Sequence, residues 1–189
     1  MNKNYWEQRY LSNETGWDIG YAAPALIEYC RQIHDKSIEI LIPGCGYGHE
    51  VSELVKLGFK IITVIDLSDT ALSALRTKID ESVNLVNGNF FDLEGEFDLV
   101  IEQTFFCALE PSLRNEYVKK MHALLKPGGK LMGVLFNREF DGGPPFGGSE
   151  QEYRKLFSPL FEIRILEPCY NSIQPRMGTE LFMLMVRKA

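Results

Sequence analysis

The chain has 189 residues, 45% of them apolar, and a formal net charge of −6. That is enough for a full hydrophobic core in one domain spanning 1–189, and the acidic balance leaves no electrostatic footprint for nucleic acid. The N-terminal residues lack an apolar leader, and no run approaches the ~18 apolar residues of a membrane span, so a cytoplasmic protein is expected. Four cysteines, Cys30, Cys45, Cys107 and Cys169, lie too far apart for a metal-ligand spacing or a small disulfide framework and read as buried free thiols.

In chain order, residues 1–21 come first and carry Trp6, Tyr10 and Trp17 with too few aliphatic residues for an independent core. The apolar run Ile40-Leu41-Ile42 then breaks into Pro43-Gly44-Cys45-Gly46-Tyr47-Gly48-His49. This reads as a strand, a tight glycine loop and a helix start, where alternate glycines let the backbone approach a ligand beside unpaired N–H groups. A dinucleotide fingerprint, G-x-G-x-x-G, would need a third glycine where His49 stands, whereas G-x-G-x-G is the spacing of S-adenosylmethionine-binding folds.

Val51, Leu54, Val55 and Leu57 recur at helical spacing, and the β-branched run 60–65 then leads into Asp66. An acid at a strand's carboxyl end, about twenty residues past a glycine loop, is placed to accept both hydroxyls of a ribose. Asp66 could instead cap the helix expected over 67–79, although Ser68 or Asp69 would serve there as well. A third strand is expected at 83–86, followed by an aromatic turn with Asn89 and Phe90 that suits an adenine ring. The fourth strand, 97–102, ends at Glu102, and a helix over 112–125 stops at Lys126-Pro127-Gly128-Gly129.

The fifth strand covers 130–136, and Gly142-Gly143-Pro144-Pro145-Phe146 in the loop after it has the hinges and stiff centre of a lid. Ser149 and Glu152 form a capping-box pattern for a short helix to Phe157. The last two strands, 161–166 and 180–186, are joined by a connection too short for a crossover helix, so they pair antiparallel. Strand–helix alternation with this ending predicts an α/β fold: a seven-stranded, mostly parallel sheet, helices on both faces, and a C-terminal antiparallel hairpin.

Trp6-Glu7-Gln8-Arg9-Tyr10, Gly16-Trp17-Asp18-Ile19-Gly20, the Pro43–His49 loop, Glu102-Gln103-Thr104-Phe105-Phe106-Cys107-Ala108-Leu109-Glu110-Pro111 and Gly142-Gly143-Pro144-Pro145-Phe146 occur in that order. Together they resemble the thiopurine methyltransferase family, most closely its branch of thiol and halide methyltransferases. The resemblance covers nearly the whole chain and implies the Rossmann-like fold of class I methyltransferases. It implies methyl transfer from S-adenosylmethionine to a small sulfur, selenium or halide nucleophile. Carried over by position, Trp6, Tyr10 and Trp17 would lie over the cofactor as a lid. Gly44, Cys45, Gly46 and Gly48 would lie beneath its methionine part, Asp66 and Leu67 at the ribose, Asn89 and Phe90 at the adenine, and Glu102 beneath. Phe105, Phe146 and Arg176 would border the acceptor. Two positions depart from the pattern: Tyr10 stands where tryptophan is common, and Phe146 where plant relatives carry a tyrosine, which favours thiols over halides.

The residue types agree with these roles, since aromatic faces attract a sulfonium by ~0.5–2 kcal/mol each when water is excluded. Trp6 and Trp17 would equally serve as anchors packing the N-terminal segment on the core. In-line transfer to a thiolate or halide needs positioning and no base, so no catalytic residue is assigned, and no carboxylate cluster suggests a metal. His34, His49 and His122 read as structural or solvated, and Cys107 as a wall thiol. An NAD-dependent dehydrogenase and a non-enzymatic S-adenosylmethionine-binding protein are the competing readings.

Overall fold

The computed structural model describes residues 2–79 and 82–189. Seven strands form one sheet: β1 (Glu39–Pro43), β2 (Ile61–Asp66), β3 (Val83–Asn87), β4 (Phe97–Gln103), β5 (Leu125–Phe136), β6 (Phe161–Pro168) and β7 (Glu180–Arg187), in the order β3-β2-β1-β4-β5-β7-β6. Strands β1 to β5 pair in parallel, and β7 enters antiparallel between β5 and β6. The seven-stranded α/β sheet with its antiparallel hairpin is as the sequence implied.

Among the described residues there are six α-helices: α1 (Lys3–Leu11), which packs on α4, and α2 (Pro24–Arg31), α3 (His49–Lys56), α4 (Asp69–Arg76), α5 (Arg114–Leu124) and α6 (Glu150–Phe157), which flank the sheet. Side chains alternate across each strand, so Ile40 and Ile42 join one core with Leu26, Leu54 and Leu75, while Leu41 joins the other with Tyr117, Tyr153 and Phe157. Burial on both faces explains the near-continuous apolar runs of β1 and β4.

Boundaries differ where side chains intervene. The helix expected from residue 67 starts at Asp69, because the Asp66 carboxylate accepts from Ser68 N at 2.9 Å and Ser68 Oγ accepts from Ala71 N at 3.0 Å. The helix expected from 112 starts at Arg114, after a 3₁₀ turn over Pro111–Leu113. The Pro-Gly stop after α5 is drawn into β5, which begins directly at Leu125. No helix is expected from the sequence at α1 or α2: α1 has almost no apolar stripe, and α2 is a short helix burying Ala25, Leu26, Ile27 and Cys30; Asn2 caps α1 by accepting from Tyr5 N at 3.0 Å.

Candidate functional site

The sheet reverses its winding at β1, between β2 and β4, where open α/β sheets bind ligands at the strands' carboxyl ends. A cavity of about 850 Å³ opens there, bounded by the glycine loop, the ends of β2 to β5, the α1 arm and the 174–176 turn. That volume holds a nucleoside-sized cofactor together with a small acceptor.

Gly44, Gly46 and Gly48 all have positive φ, +60°, +53° and +67°, which only glycine adopts without strain. Gly44 N donates to Ile65 O at 2.8 Å, locking the loop to β2, and a side chain at Gly44 would strike the Phe105 ring. A Cβ at Gly46 would sit 3.0 Å from Tyr10 Oη, so the arm closes directly onto this residue. Gly44, Cys45 and Gly46 line the cavity; Gly48 does not, since it faces the Leu75 side chain, and its part is to seat α3 against α4.

Asp66 is 9% exposed, and its two oxygens divide their work: Oδ2 accepts from Gly46 N at 3.0 Å and Oδ1 from Ser68 N at 2.9 Å. The helix cap is Ser68, which leaves Asp66 free of that use. Burial raises the Asp66 carboxyl above the usual range, against the backbone bonds that favour its charge. Each oxygen keeps a lone pair for a further donor. Leu67 lines the cavity next to it, and Asn89 and Phe90 stand across from it. Asn89 also caps the 3₁₀ turn Phe90–Asp92 by accepting from Phe91 N at 3.3 Å. Phe90 is buried and packs edge-on against Phe105 at 5.1 Å, and the more exposed Phe91 lines the cavity beside it.

The arm forms the opposite wall. Trp17 packs edge-on against Trp6 at 5.5 Å and against Tyr10 at 5.7 Å, and Tyr10 meets Tyr47 of the glycine loop at 5.2 Å. Polar contacts absent from the sequence reading hold it down. Glu7 accepts from Ser68 Oγ at 2.7 Å and from Thr70, and Lys3 pairs with Asp69 at 2.7 Å. Desolvation raises the Glu7 carboxyl, but the bonds from Thr70 and Ser68 outweigh it and leave the group below the usual range. Arg176 donates to Trp17 O at 2.7 Å while facing Glu180 at 3.6 Å, so it clasps the arm at the cavity rim.

Glu102 is fully buried and does not line the cavity; the wall there is Gln103, Thr104, Phe105 and Cys107. Its Oε1 accepts from Phe105 N at 2.8 Å and Phe106 N at 2.9 Å, and Oε2 accepts from Tyr117 Oη at 2.7 Å. The carboxyl expected directly beneath the cofactor therefore shapes the turn behind the wall, including Thr104 at φ +57°. Burial pushes this carboxyl up to about 7 despite those three donors. Cys107, whose thiol burial pushes up to about 12, is a protonated wall group at neutral pH. Phe146 likewise stays out of the cavity: its ring lies against Gly143 and its N–H donates to Cys107 O at 2.6 Å, so Pro144 and Pro145 face the cavity in its place.

Two further groups at the cavity were read otherwise or missed. His49, at the start of α3, has Nε2 2.9 Å from Asp18 Oδ1 of the arm. Glu50 is buried beside it, accepting from Ala23 N at 2.9 Å, and burial raises its carboxyl. Both follow the loop in sequence, and no spacing rule pairs His49 with a residue thirty-one positions earlier. His34 and His122 lie away from the cavity, and no group of metal-ligating side chains is found among the described residues. No helix among those residues is long and apolar enough to cross a membrane.

The residues present suit a nucleoside–methionine sulfonium: a glycine-rich loop, a carboxylate with spare lone pairs, and aromatic faces along one wall. When bound, such a cofactor supplies an electrophilic methyl group. Comparison with known proteins agrees. The profile of the thiopurine S-methyltransferase family matches residues 1–182. A probable thiol methyltransferase 2 of Arabidopsis thaliana is 33% identical over 184 residues, covering 93% of this chain and 81% of that protein. Thiocyanate methyltransferase 1 of Brassica oleracea is 30% identical with the same coverage. Among solved structures, magnesium protoporphyrin IX methyltransferase of Synechocystis, with S-adenosylhomocysteine bound, superposes with a TM-score of 0.78 at 13% identity, covering 99% of this chain and 100% of the other. The fold, the glycine loop and these relatives agree: the chain belongs to the thiopurine S-methyltransferase family and is an S-adenosylmethionine-dependent methyltransferase.

Proposed function

We propose that the enzyme methylates small soft sulfur nucleophiles, thiols and thiocyanate foremost, with Asp66 on the ribose, Asn89 and Phe90 at the adenine, and Trp6, Tyr10 and Trp17 over the methionine end. Gly44 to Gly46 underlie that end, Leu67 flanks the ribose, and Phe105 and Arg176 border the acceptor. The observation that carries the reading is the composition of the acceptor wall. Phe105, Cys107, Ala108, Leu109, Phe136 and Pro144 surround the space beyond the glycine loop, with few hydroxyls to solvate a hard anion. Such a wall strips water from a polarisable sulfur and holds it in line with the methyl carbon, a placement worth ~7–11 kcal/mol of barrier. The displacement needs no metal. Similarity to thiol and thiocyanate methyltransferases supports this acceptor class, and family membership sets aside the hydride-transfer and non-enzymatic readings. Four buried free cysteines suit the cytoplasm.

The test is a screen with labelled S-adenosylmethionine against thiocyanate, bisulfide, alkyl and aromatic thiols, iodide and chloride. Sulfur acceptors should turn over faster than iodide, with chloride inert; a preference for halides over every sulfur acceptor overturns the assignment. In calorimetry, Asp66→Ala should weaken S-adenosylhomocysteine binding by roughly 1.5–3 kcal/mol, the range of a lost charge-assisted bond pair. Unchanged affinity would remove Asp66 from the ribose.

A further inference from the structure

Resting on that reading, we propose that His49, oriented by Asp18, is a general base that extends the acceptor range from anions to neutral thiols. Among the described residues His49 is the one imidazole lining the cavity, and imidazole is the side chain whose ordinary titration range spans neutral pH. Of the other ionisable groups in the wall, burial pushes the Cys107 thiol up to about 12, and Asp66 is assigned to the ribose.

The geometry assigns the roles. A carboxylate can only accept, so the 2.9 Å contact to Asp18 Oδ1 places a proton on Nε2, and in the neutral imidazole Nδ1 then carries the lone pair. Asp18 is itself fixed by accepting from Gly20 N at 2.9 Å, and Trp17 just before it is held by Arg176. Glu50 on the same helix lies close to the pair, Arg176 from the 174–176 turn holds the neighbouring Trp17, and the Tyr10 phenol packs on Trp17 and on Tyr47.

In the step, the thiol S–H bond breaks and its proton goes to His49 Nδ1. The sulfur lone pair forms the new S–CH₃ bond, and the bond from the methyl carbon to the sulfonium sulfur breaks with its electron pair returning to that sulfur. The imidazolium then gives its proton to solvent. Thiocyanate and iodide carry no such proton and bypass the base, so Asp18 and His49 matter for one acceptor class and not the other.

That asymmetry is the test. His49→Gln and Asp18→Asn are assayed in the full-length enzyme with 2-mercaptoethanol and with thiocyanate, from pH 6 to 9. His49→Gln should lower kcat/KM for the thiol about 100-fold at neutral pH, a typical general-base contribution, while thiocyanate changes less than about threefold. The residual thiol rate should then track the thiol's own ionisation rather than the imidazole's, and Asp18→Asn should show the same split more weakly. Equal losses for both acceptors, or a thiol rate untouched in His49→Gln, overturn the proposal by reducing the pair to an arm contact. The two failures separate: a wild type that turns over neither acceptor removes sulfur methylation and the base with it, whereas turnover of both with no split removes the base alone.

Discussion

Two walls face each other across the cavity and are held by opposite kinds of interaction. The β4 wall hangs on Glu102, a fully buried carboxylate with three donors from the turn and from α5. The arm wall hangs on partly exposed contacts: Lys3 with Asp69, Glu7 with Ser68 and Thr70, and Asp18 with His49. A buried acceptor cannot be replaced by water, so its loss leaves donors stranded; a surface pair exchanges with water and salt at little cost. On the proposed lid role of the arm, the β4 wall is the permanent one and the arm the releasable one, as suits a site whose cofactor must enter and whose product must leave.

The largest effect should come from the permanent wall. Glu102→Ala strands Phe105 N, Phe106 N and the Tyr117 hydroxyl and should destabilise the fold by about 3–5 kcal/mol in urea unfolding. A loss under 1 kcal/mol would mean that the turn does not depend on this carboxylate.

Glu102 should also set a pH dependence. Its folded value of about 7 lies above the ordinary 4.5, so its protonated form is the better buried one. The contribution is full below the unfolded value and fades as pH rises through the folded one, by up to about 3 kcal/mol between pH 4.5 and 7. Glu102→Gln should flatten that decline; an unchanged slope would assign it to another group.

The releasable wall should give smaller effects. Glu7→Gln should weaken S-adenosylhomocysteine binding by about 1 kcal/mol, with a smaller cofactor-induced shift of Trp6 and Trp17 fluorescence, as expected from losing one charged hydrogen-bond set. Because the Glu7 carboxyl is depressed, its hold on α4 is present above the ordinary carboxylate range and lost as pH falls through the folded value. Deleting residues 1–20 without loss of turnover would remove the lid role altogether.

The smallest change belongs to Lys3→Met. Its contacts with Asp69 and Asn87 are exposed, so stability should move by no more than about 0.5 kcal/mol, less in high salt. A larger, salt-independent loss would show the arm to be as firmly built as the wall it faces.

Much of this was legible in the chain itself. The G-x-G-x-G loop, the acid ending the second β-branched run and the strand–helix alternation follow from short-range steric and burial rules, so Gly44, Gly46, Asp66 and the sheet needed only local pattern. What the tertiary structure decided was which side of each element faces the ligand. Glu102 and Gly48 sit at motif positions but turn inward, because β4 must satisfy the turn's N–H groups and α3 must pack on Leu75. Phe146 yields the cavity to Pro144 and Pro145 because its ring seats on Gly143. Helix α1 has no apolar stripe and is ordered by the N-terminus of α4, and Asp18 reaches His49 only because the arm folds back across the loop. Contacts between residues far apart in sequence carry no periodicity, and only packing brings them together.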